Sequence, residues 1–393
     1  MSESPGFITN SVHGAGGAAE GPVSTPVYNS STYRFRTIAE LAAANAGKYK
    51  SNEFYTRYGS PNLQIFEDRL ARVERTETSL ALSSGMAAIS AVAFAYLRPG
   101  SHLIAQSEIY GGTLAFIREV LIPWGVRATF VKISDFPNLD RYCSGGVHLI
   151  FTETPTNPHC RIVDLQAVSK ISKKHGAIHA CDATFASPWN QNTHSLGVDL
   201  VIQSATKYIG GHSDLLGGTV AGTRLHIAPV EKIRKRTGAV PDPEQVWRME
   251  RSLKTLALRV SKQNENAMAI AHFLASQQKI ERVYYPGIVS HPDHQLAKQQ
   301  MTGFGGIVTF DVRGGERAAT RFAEALKLVA IAPSLGGVES LICPPIHTSH
   351  ASLTPEQREE SGISGGMLRL SVGIEDIHDL LEDLKLGLQA VSE

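Results

Sequence analysis

The sequence is poor in cysteine, and its cysteines are not spaced for a disulfide framework or a zinc site. Four cysteines occur in 393 residues: Cys143, Cys160, Cys181 and Cys343. None belongs to a Cys-x-x-Cys pair, which favours reduced thiols in a cytoplasmic protein. Two histidine pairs, His291 with His294 and His347 with His350, lie on no evident helix and lack a matching acidic set, so we expect no metal site.

Long apolar runs and an excess of charge of either sign are absent as well. The formal net charge is +1 and 19% of the residues are charged, which gives no reason to expect nucleic acid or an anionic membrane as a partner. No apolar run approaches the roughly 18 to 20 residues that a membrane helix needs. The first ten residues have no basic segment followed by an apolar one, so we predict no secretory signal.

The overall composition is typical of a globular protein, and it changes along the chain. Hydrophobic residues make up 42% of the sequence, enough for a large core. Residues 1–59 are rich in Gly, Ser, Thr, Pro and Asn, which predicts an extended arm with a short helix over about 38–46. Such an arm has little core of its own, so we expect it to lie on another part of the protein or on a partner subunit.

Short apolar strands alternate with helical segments over residues 60–250. This alternation predicts an α/β fold with a mostly parallel sheet covered by helices on both faces. A long helical stretch over 249–276 is predicted to link this domain to a smaller α+β domain over 251–393. Strands are predicted there near 305–311 and 367–372.

Polar residues follow three of the predicted strands at the point where each strand ends. They are Asn157, Asp182 and Lys207. Ligands of open α/β sheets bind outside the carboxyl ends of the strands. The sequence therefore predicts a ligand site at this edge of the sheet.

Lys207 lies in the segment Ser-Ala-Thr-Lys-Tyr at 204–208, directly after an apolar run at 198–202. Lysine is among the residues least often buried. A lysine at the end of a core strand either extends its amine into solvent or attacks a carbonyl in a desolvated pocket. The commonest such carbonyl is that of pyridoxal 5'-phosphate, PLP.

The phosphate of PLP needs N–H and hydroxyl donors, ideally where a helix begins. Gly85 and Met86 open an apolar helix, with Gly85 permitting close approach. Ser204 and Thr206 add hydroxyl groups beside Lys207. The same helix start also fits an ordinary N-cap.

The remaining contacts of PLP and its substrate have candidates at other strand ends. Asp182 can pair with the pyridine nitrogen, Tyr110 can stack on the ring and transfer protons, and Asn157 can donate to the phenolic oxygen. Arg369 can bind a substrate carboxylate bidentately. Taken singly, these residues also fit a helix cap, a core tyrosine, a turn and a surface strand. Together they supply almost every contact that PLP requires.

These residues resemble the Cys/Met-metabolism family of PLP enzymes, which includes cystathionine γ-synthases, cystathionine γ-lyases and methionine γ-lyases. The resemblance runs nearly end to end, through Tyr-Thr-Arg-Tyr-Gly at 55–59, Ser-Ser-Gly-Met at 83–86, Tyr-Gly-Gly-Thr at 110–113, Glu-Thr-Pro-Thr-Asn-Pro at 153–158, Asp-Ala-Thr-Phe at 182–185, Ser-Ala-Thr-Lys-Tyr at 204–208 and Arg-Leu-Ser-Val-Gly at 369–373. It implies the aspartate-aminotransferase type of fold.

The resemblance also implies roles for individual residues. The residues that hold or contact the cofactor would be Lys207, Tyr110, Asp182, Gly85, Met86, Ser204, Thr206, Asn157 and Thr184. The family's homotetramers are dimers of dimers with shared active sites, so Tyr55 and Arg57 would reach the neighbouring subunit's phosphate. Ser334 and Arg369 would hold the carboxylate of a small amino-acid substrate.

The implied reaction is γ-elimination on an L-amino acid with a leaving group at Cγ, through a β,γ-unsaturated imine, with Lys207 and Tyr110 as catalytic residues. The alternative is γ-replacement of an activated homoserine by cysteine or another thiol. Enzymes that act on cystathionine usually have an acid directly before the first tyrosine of the Tyr-x-Arg motif; here that residue is Phe54, and Glu53 precedes it. Methionine γ-lyases have a cysteine where this chain has Gly112.

The segment 343–350 (Cys-Pro-Pro-Ile-His-Thr-Ser-His) is also unusual for the family. The leaving group therefore stays open between a thiolate, a phosphate, a carboxylate and an oxygen-linked group such as the oxyguanidine of canavanine. Glu53 and Phe54 are predicted to contact this part of the substrate, and Glu53 could pair with a cationic group.

Overall fold

The structure is a computed structural model that describes residues 5–14, 21–47, 54–351, 354, 357–358 and 361–391. Near the N-terminus, helix α1 is Phe7–His13 and helix α2 is Ile38–Asn45. Helix α2 begins with a capping box, in which the side chains of Thr37 and Glu40 each accept from the other's backbone N–H. The helix predicted over about 38–46 is therefore present, whereas α1 was not predicted.

Seven strands of the described residues form a large sheet. They are β1 Thr78–Leu82, β2 His102–Gln106, β3 Arg127–Val131, β4 Leu149–Glu153, β5 Ile178–Asp182, β6 Leu200–Gln203 and β7 Gly218–Gly222. Their order is β1-β7-β6-β5-β4-β2-β3. The pairs from β3 to β6 are parallel, whereas β7 is antiparallel to both of its neighbours. The predicted mostly parallel sheet is confirmed.

Helices cover both faces of the large sheet. They are α3 Pro61–Val73, α4 Gly85–Tyr96, α5 Gly111–Phe116, α6 Leu139–Tyr142, α7 Leu165–Lys174, α8 Ser187–Asn190 and α9 Arg224–Thr237. Successive strand residues face opposite sides: Leu103 and Ala105 pack with α4 and α9, and Ile104 packs with α6 and α7. Strands buried on both faces explain the continuous apolar runs of the sequence.

Five strands of the described residues form a second, smaller sheet. They are β8 Ile280–Tyr284, β9 Ile307–Val312, β10 Ala330–Ile331, β11 Leu341–Cys343 and β12 Met367–Ser371, in the order β10-β11-β12-β9-β8. The remaining helices are α10 Pro243–Leu253, α11 Leu256–Ala275, α12 His294–Gln300, α13 Gly315–Ala325 and α14 Ile377–Ala390. Helices α11, α13 and α14 share one hydrophobic core with this sheet.

The single helix predicted over 249–276 is wrong, because the chain forms α10 and α11 with a break at Lys254 and Thr255. The guanidinium of Arg259 donates to the carbonyl of Ser252 at 2.9 Å, and to the carbonyl of Tyr208 at 2.8 Å. A helix end needs partners for its last carbonyls. Arg259 is such a partner for the carbonyl of Ser252, and its bond to Tyr208 connects the break to the turn after β6.

Strands β1 and β7 had no predicted counterpart. Strand β7 has the sequence Gly-Thr-Val-Ala-Gly, and its two glycines weaken the strand signal. Gly218 is required by close packing, because a Cβ there would lie 2.0 Å from the carbonyl oxygen of Ser84. No helix of the described residues is long and apolar enough to cross a membrane.

Candidate active site

A cavity of about 720 Å³ opens at the carboxyl ends of strands β4, β5 and β6, and the smaller sheet closes its other side. Its walls bring together most of the residues predicted to act on a cofactor or substrate. They include Gly85, Met86, Tyr110, Asn157, Asp182, Thr184, Ser204, Thr206, Lys207 and Arg369. The prediction that strand ends converge on one rim is thus confirmed in the geometry.

Lys207 lies in the turn after β6, where its carbonyl accepts from Gly211 N at 2.7 Å. Its Nζ donates to Ser334 Oγ at 3.0 Å, which connects the large sheet to the segment before β11. Burial, and then the charge of Arg369, lowers the pKa of Lys207 to about 8. A much larger fraction of this amine is uncharged near neutral pH than in an exposed lysine, so it can act as a nucleophile or base.

Asp182 ends β5 with its carboxylate 7% exposed and bound to Thr184. Its Oδ1 accepts from the backbone N–H of Thr184 at 3.0 Å and from its hydroxyl at 2.6 Å. The same hydroxyl oxygen accepts from Ser204 N at 2.8 Å. Burial raises the pKa of Asp182, and the hydrogen bonds from Thr184 oppose that shift. The strand end that carries Asp182 is thereby connected to the turn that carries Lys207.

Glu153 lines the cavity as well, although the sequence analysis gave it no role. It ends β4 directly opposite Asp182 in the parallel register and is 5% exposed. Burial, followed by the nearby charge of Asp182, raises the pKa of Glu153 well above its ordinary value. Its place as the last residue of a buried strand, in the motif that also holds Asn157, was the signal that could have found it.

The start of α4 forms a close-packed cradle beside the turn that carries Lys207. Ser84 caps the helix by accepting from Ala87 N at 3.0 Å. A Cβ on Gly85 would lie 2.9 Å from the Cβ and Oγ of Ser204, so only glycine fits. The hydroxyl of Thr206 bonds to both backbone groups of Gly217, at 3.1 and 3.3 Å. Backbone N–H groups at a helix start and adjacent hydroxyls suit a phosphate.

Tyr110 immediately precedes α5, and its side chain lines the cavity while remaining 43% exposed. Gly112 leaves room for this ring, because a Cβ there would lie 2.5 Å from Tyr110 Cε1. A Cβ on Gly111 would lie 2.2 Å from the carbonyl oxygen of Ser349. The two glycines that follow Tyr110 therefore have different packing roles. Gly112 leaves room for the tyrosine ring, and Gly111 packs against the segment 343–350.

Arg369 lies on β12 and is 4% exposed. Its Nη1 donates to Asn157 Oδ1 at 3.2 Å and its Nη2 to the carbonyl of Ser334 at 3.1 Å. Its buried Nε has no partner within the described part of the chain. Each Nη group of the guanidinium carries a second N–H. Because Arg369 lines the cavity, these hydrogens suit a carboxylate ligand.

Tyr55, Arg57 and Phe54 do not reach the cavity of their own chain. Arg57 donates to the carbonyl of Lys235 at 2.7 Å and stacks over the ring of Tyr58. Phe54 packs against Tyr58 with the ring centroids 5.9 Å apart. Contact with a neighbouring subunit stays a prediction for Tyr55 and Arg57, and so does substrate contact for Phe54. Glu53 lies outside the described residues.

The segment 343–350 forms much of the wall opposite the cofactor candidates. Cys343, Pro344, His347, Thr348 and Ser349 all line the cavity. Cys343 pairs with Arg369 across the antiparallel strands β11 and β12, so the two side chains are neighbours. The segment that the sequence analysis found unusual therefore lies next to the buried guanidinium.

The chain matches the family described as Cys/Met metabolism PLP-dependent enzyme over residues 9–389. The chain belongs to this family. It is 40% identical over 390 residues to L-methionine gamma-lyase of Pseudomonas putida, covering 98% of each chain. It is also 40% identical over 388 residues to cystathionine gamma-lyase of Bacillus subtilis (strain 168), covering 97% of this chain and 98% of the relative.

Among solved structures, the chain is similar to cystathionine gamma synthase from Xanthomonas oryzae pv. oryzae in complex with aminoacrylate and cysteine. The TM-score is 0.93 at 35% identity, and 99% of each chain is covered. The predicted PLP-enzyme fold is confirmed, and so is the resemblance to this family.

The family is PLP-dependent, and the residues of the cavity fit that cofactor. The cradle at Gly85 is sterically closed to any side chain, and burial lowers the pKa of Lys207. The cavity volume lies within the range of cofactor and ligand sites. Within the described ranges no group of three His, Cys, Asp or Glu side chains is arranged to hold a metal ion.

Proposed function

We propose that this PLP-dependent enzyme is a γ-lyase, which eliminates the Cγ substituent of an L-amino acid to leave a 2-oxo acid and ammonia. The observation that carries the proposal is the convergence of Lys207, Tyr110 and Arg369 on one cavity. The 40% identity to a methionine γ-lyase, over 98% of both chains, supports chemistry at Cγ.

When bound, PLP would supply an electron sink for the pair of electrons that is left when a proton leaves the substrate Cα. Lys207 would hold the cofactor through Nζ until the substrate amine displaces it, and the freed amine would then take the Cα proton. The pKa of about 8 supports this role, because a base must be partly uncharged at the working pH. Ser334 Oγ, at 3.0 Å, would orient the amine.

The remaining contacts with the cofactor are assigned by the same reasoning. Asp182 would pair with the pyridine nitrogen, and Thr184 would orient that carboxylate through its two hydrogen bonds. Asn157 would donate to the phenolic oxygen, and Tyr110 would stack on the ring. The phosphate would be held by Gly85, Met86, Ser204 and Thr206.

Arg369 and Ser334 would hold the substrate carboxylate, since Arg369 lines the cavity and donates to the carbonyl of Ser334. A second proton, from Cβ, would have to leave before the Cγ substituent can depart. Tyr110 would donate a proton to the departing group, because its side chain lines the cavity and stays partly exposed. The leaving group is a thiolate or an oxygen-linked group. The polar side chains of Thr348 and Ser349 support one that accepts or donates hydrogen bonds.

A second candidate is γ-replacement of an activated homoserine by cysteine or another thiol. The likeness to the γ-synthase with aminoacrylate and cysteine, at a TM-score of 0.93, favours it. The two reactions use the same catalytic residues and differ in whether a thiol or water meets the intermediate. The cavity volume of about 720 Å³ is large enough for a second small molecule.

The protein is further proposed to be a cytoplasmic homotetramer with an N-terminal arm (1–59), a PLP-binding domain (60–250) and a C-terminal domain (251–393). Four buried free thiols support a reducing compartment.

Tyr55 is 42% exposed and Arg57 lies away from its own cavity, which supports the proposal that both residues reach the phosphate site of the neighbouring subunit. Light scattering of wild-type protein and of Arg57→Ala would test this arrangement, with a monomeric but fully active wild type counting against it.

A panel of γ-substituted amino acids decides between the two reactions. The panel contains methionine, homocysteine, cystathionine, canavanine and O-acylated homoserines, each assayed with and without cysteine. Release of ammonia and 2-oxobutanoate without added thiol supports the lyase. Product that forms only when cysteine is present would refute the lyase and establish the replacement reaction.

A further inference from the structure

One carboxyl group connects the two loops that carry Tyr110 and Asn157. Glu153 Oε2 accepts from the backbone N–H of Tyr110 at 2.7 Å, and Glu153 Oε1 accepts from the backbone N–H of Asn157 at 3.1 Å. Neither N–H has another partner among the described residues. The positions of both loops therefore depend on this side chain.

Glu153 is itself held in place. Its backbone N–H donates to Gln106 Oε1 at 3.1 Å, and it ends a strand that is buried along its whole length. The amide of Gln106 donates in turn to the carbonyl of Glu108 at 2.8 Å. A carboxyl fixed by a rigid strand end can set the geometry of loops that the sheet alone does not fix.

The same contacts reach the substrate side of the cavity. Asn157 Oδ1 accepts from Arg369 Nη1 at 3.2 Å, so a displacement of the Asn157 loop also displaces the partner of the guanidinium. A chain of hydrogen bonds therefore runs from Tyr110 through Glu153 and Asn157 to Arg369. The chain includes the residues proposed to stack on the cofactor, to donate to it and to bind the substrate carboxylate.

We propose that Glu153 is a positioning residue of the PLP site, which holds Tyr110 and Asn157 at a fixed separation through two backbone hydrogen bonds. This inference rests on the proposed function only for the position of PLP in the cavity. It does not depend on which reaction is catalysed or which group leaves. Glu153 acts through the two loops, and its own carboxyl group need not touch the substrate.

The test variant is Glu153→Gln. The amide keeps the shape of the side chain, but its NH₂ group faces one of the two N–H donors, so one of the two hydrogen bonds is lost. A matched control is Asp383→Asn. Asp383 is also buried and accepts from three backbone N–H groups, those of Lys327, Leu328 and Val329, but it does not line the cavity.

Two measurements on cofactor-free protein need no turnover. One is the Kd for PLP from absorbance titration, and the other is amide hydrogen exchange, by mass spectrometry, in the segments that contain residues 110 and 157. In E153Q we expect the Kd to rise about tenfold or more and exchange in at least one of these segments to accelerate. In D383N the melting temperature should fall, while the PLP Kd and exchange at both segments stay as in the wild type.

The proposal is overturned if E153Q binds PLP within about threefold of the wild type with unchanged exchange, or if D383N reproduces both effects. Should E153Q fail to fold, Glu153→Asp takes its place under the same criteria, because its shorter side chain cannot span both donors. A wild type that binds PLP but releases no 2-oxobutanoate would count against the γ-lyase and leave the role of Glu153 standing.

Discussion

The cavity has two walls that are held together in different ways. The substrate wall is the segment 343–350 together with Arg369. The cofactor wall consists of Gly85, Met86, Tyr110, Glu153, Asn157, Asp182, Thr184, Ser204, Thr206 and Lys207. On the cofactor wall, hydrogen bonds join residues far apart in the chain: Ser204 to Thr184, and Glu153 to Tyr110. On the substrate wall, the bonds of the segment 343–350 are mostly local, such as Thr348 Oγ1 to the carbonyl of Pro344 at 2.9 Å and Ser349 Oγ to His350 Nδ1 at 2.8 Å. A change within the segment 343–350 therefore disturbs fewer neighbours than a change on the cofactor wall.

This difference separates two properties of the enzyme. Changes on the cofactor wall should weaken PLP binding and affect every substrate alike. Changes on the substrate wall should alter the relative rates of substrates while PLP stays bound. Each of the following variants or measurements tests this separation.

Lys207→Ala should have the largest effect. It removes both the amine that would hold PLP and the base, so activity should fall by about 10³-fold or more on every substrate. The visible absorbance of protein-bound cofactor should be lost on gel filtration. The control is Lys262→Ala, which removes a lysine outside the cavity that pairs with Glu265. A Lys207→Ala protein that retains coloured cofactor through gel filtration would contradict the assignment.

The rate of PLP attachment to cofactor-free protein should depend on pH with a midpoint near 8. Burial lowers the pKa of Lys207, and only the uncharged amine attacks, so the rate should rise with pH. About 1% of the amine is uncharged at pH 6 and about half at pH 8, which predicts a rise of about fiftyfold between them and a plateau above pH 9. Stopped-flow absorbance measures this, and a midpoint near 10 would argue against a desolvated lysine.

Arg369→Lys should separate the walls most clearly. Lysine cannot reproduce the bidentate contact, so the KM should rise roughly tenfold to a hundredfold for all substrates that carry an α-carboxylate. The Kd for PLP should rise by a smaller factor than the KM, because the change removes the bond to Asn157 Oδ1 but none of the proposed phosphate or ring contacts. Arg313→Lys, at an exposed guanidinium bonded to the carbonyl of Gln278, is the control. An unchanged KM would show that the carboxylate is bound elsewhere.

Gly85→Ala should weaken the cofactor wall alone. The added methyl group would lie 2.9 Å from Ser204, and forcing this contact should raise the PLP Kd about tenfold. The relative rates on different substrates should stay the same. Gly6→Ala is the control, because nothing lies within 4 Å of a Cβ there and its φ is negative. Altered substrate preference in G85A would mean that the two walls are not separable.

Thr348→Val should have the smallest effect, and only on the substrate wall. Loss of one hydroxyl should change the ratio of kcat/KM between polar and thioether substrates by roughly threefold, with the PLP Kd unchanged. Thr237→Val serves as the control, since its hydroxyl also donates to a nearby carbonyl but is exposed on α9. Equal losses of kcat/KM on all substrates would instead show that Thr348 supports the structure of the site and does not discriminate between substrates.

Much of the large sheet could be predicted because its strands are buried on both faces and end in polar residues. The strands that precede Asn157 and Lys207, and the strand that ends in Asp182, were predicted for this reason. Strand β7 was missed because its two glycines weaken the strand pattern. Gly218 is needed there because it packs against Ser84, which is a contact between distant parts of the chain. The break between α10 and α11 was missed because Arg259, which binds the turn after β6, acts through tertiary contacts.

The candidate site was predictable where a residue type has a direct chemical use, as for Lys207 and Arg369. Glu153 was missed because its carboxyl binds backbone N–H groups of Tyr110 and Asn157, and sequence does not display such contacts. Phe54 illustrates the opposite case, because the structure packs it against Tyr58, away from its own chain's cavity, and its predicted substrate contact stays untested.

The sequence by itself determined the cofactor, the mostly parallel sheet and the strand ends that converge on one rim. The sheet and its rim follow from hydrophobic patterns along the chain, whereas the cofactor follows from residue types together with the resemblance to the family. Only the tertiary structure placed Ser334 within 3.0 Å of Lys207, Cys343 beside Arg369 and Glu153 between two loops. Those relations join residues up to 127 positions apart, as in the bond from Lys207 to Ser334. They depend on strand pairing within each sheet and on how the two sheets pack, which local patterns do not encode.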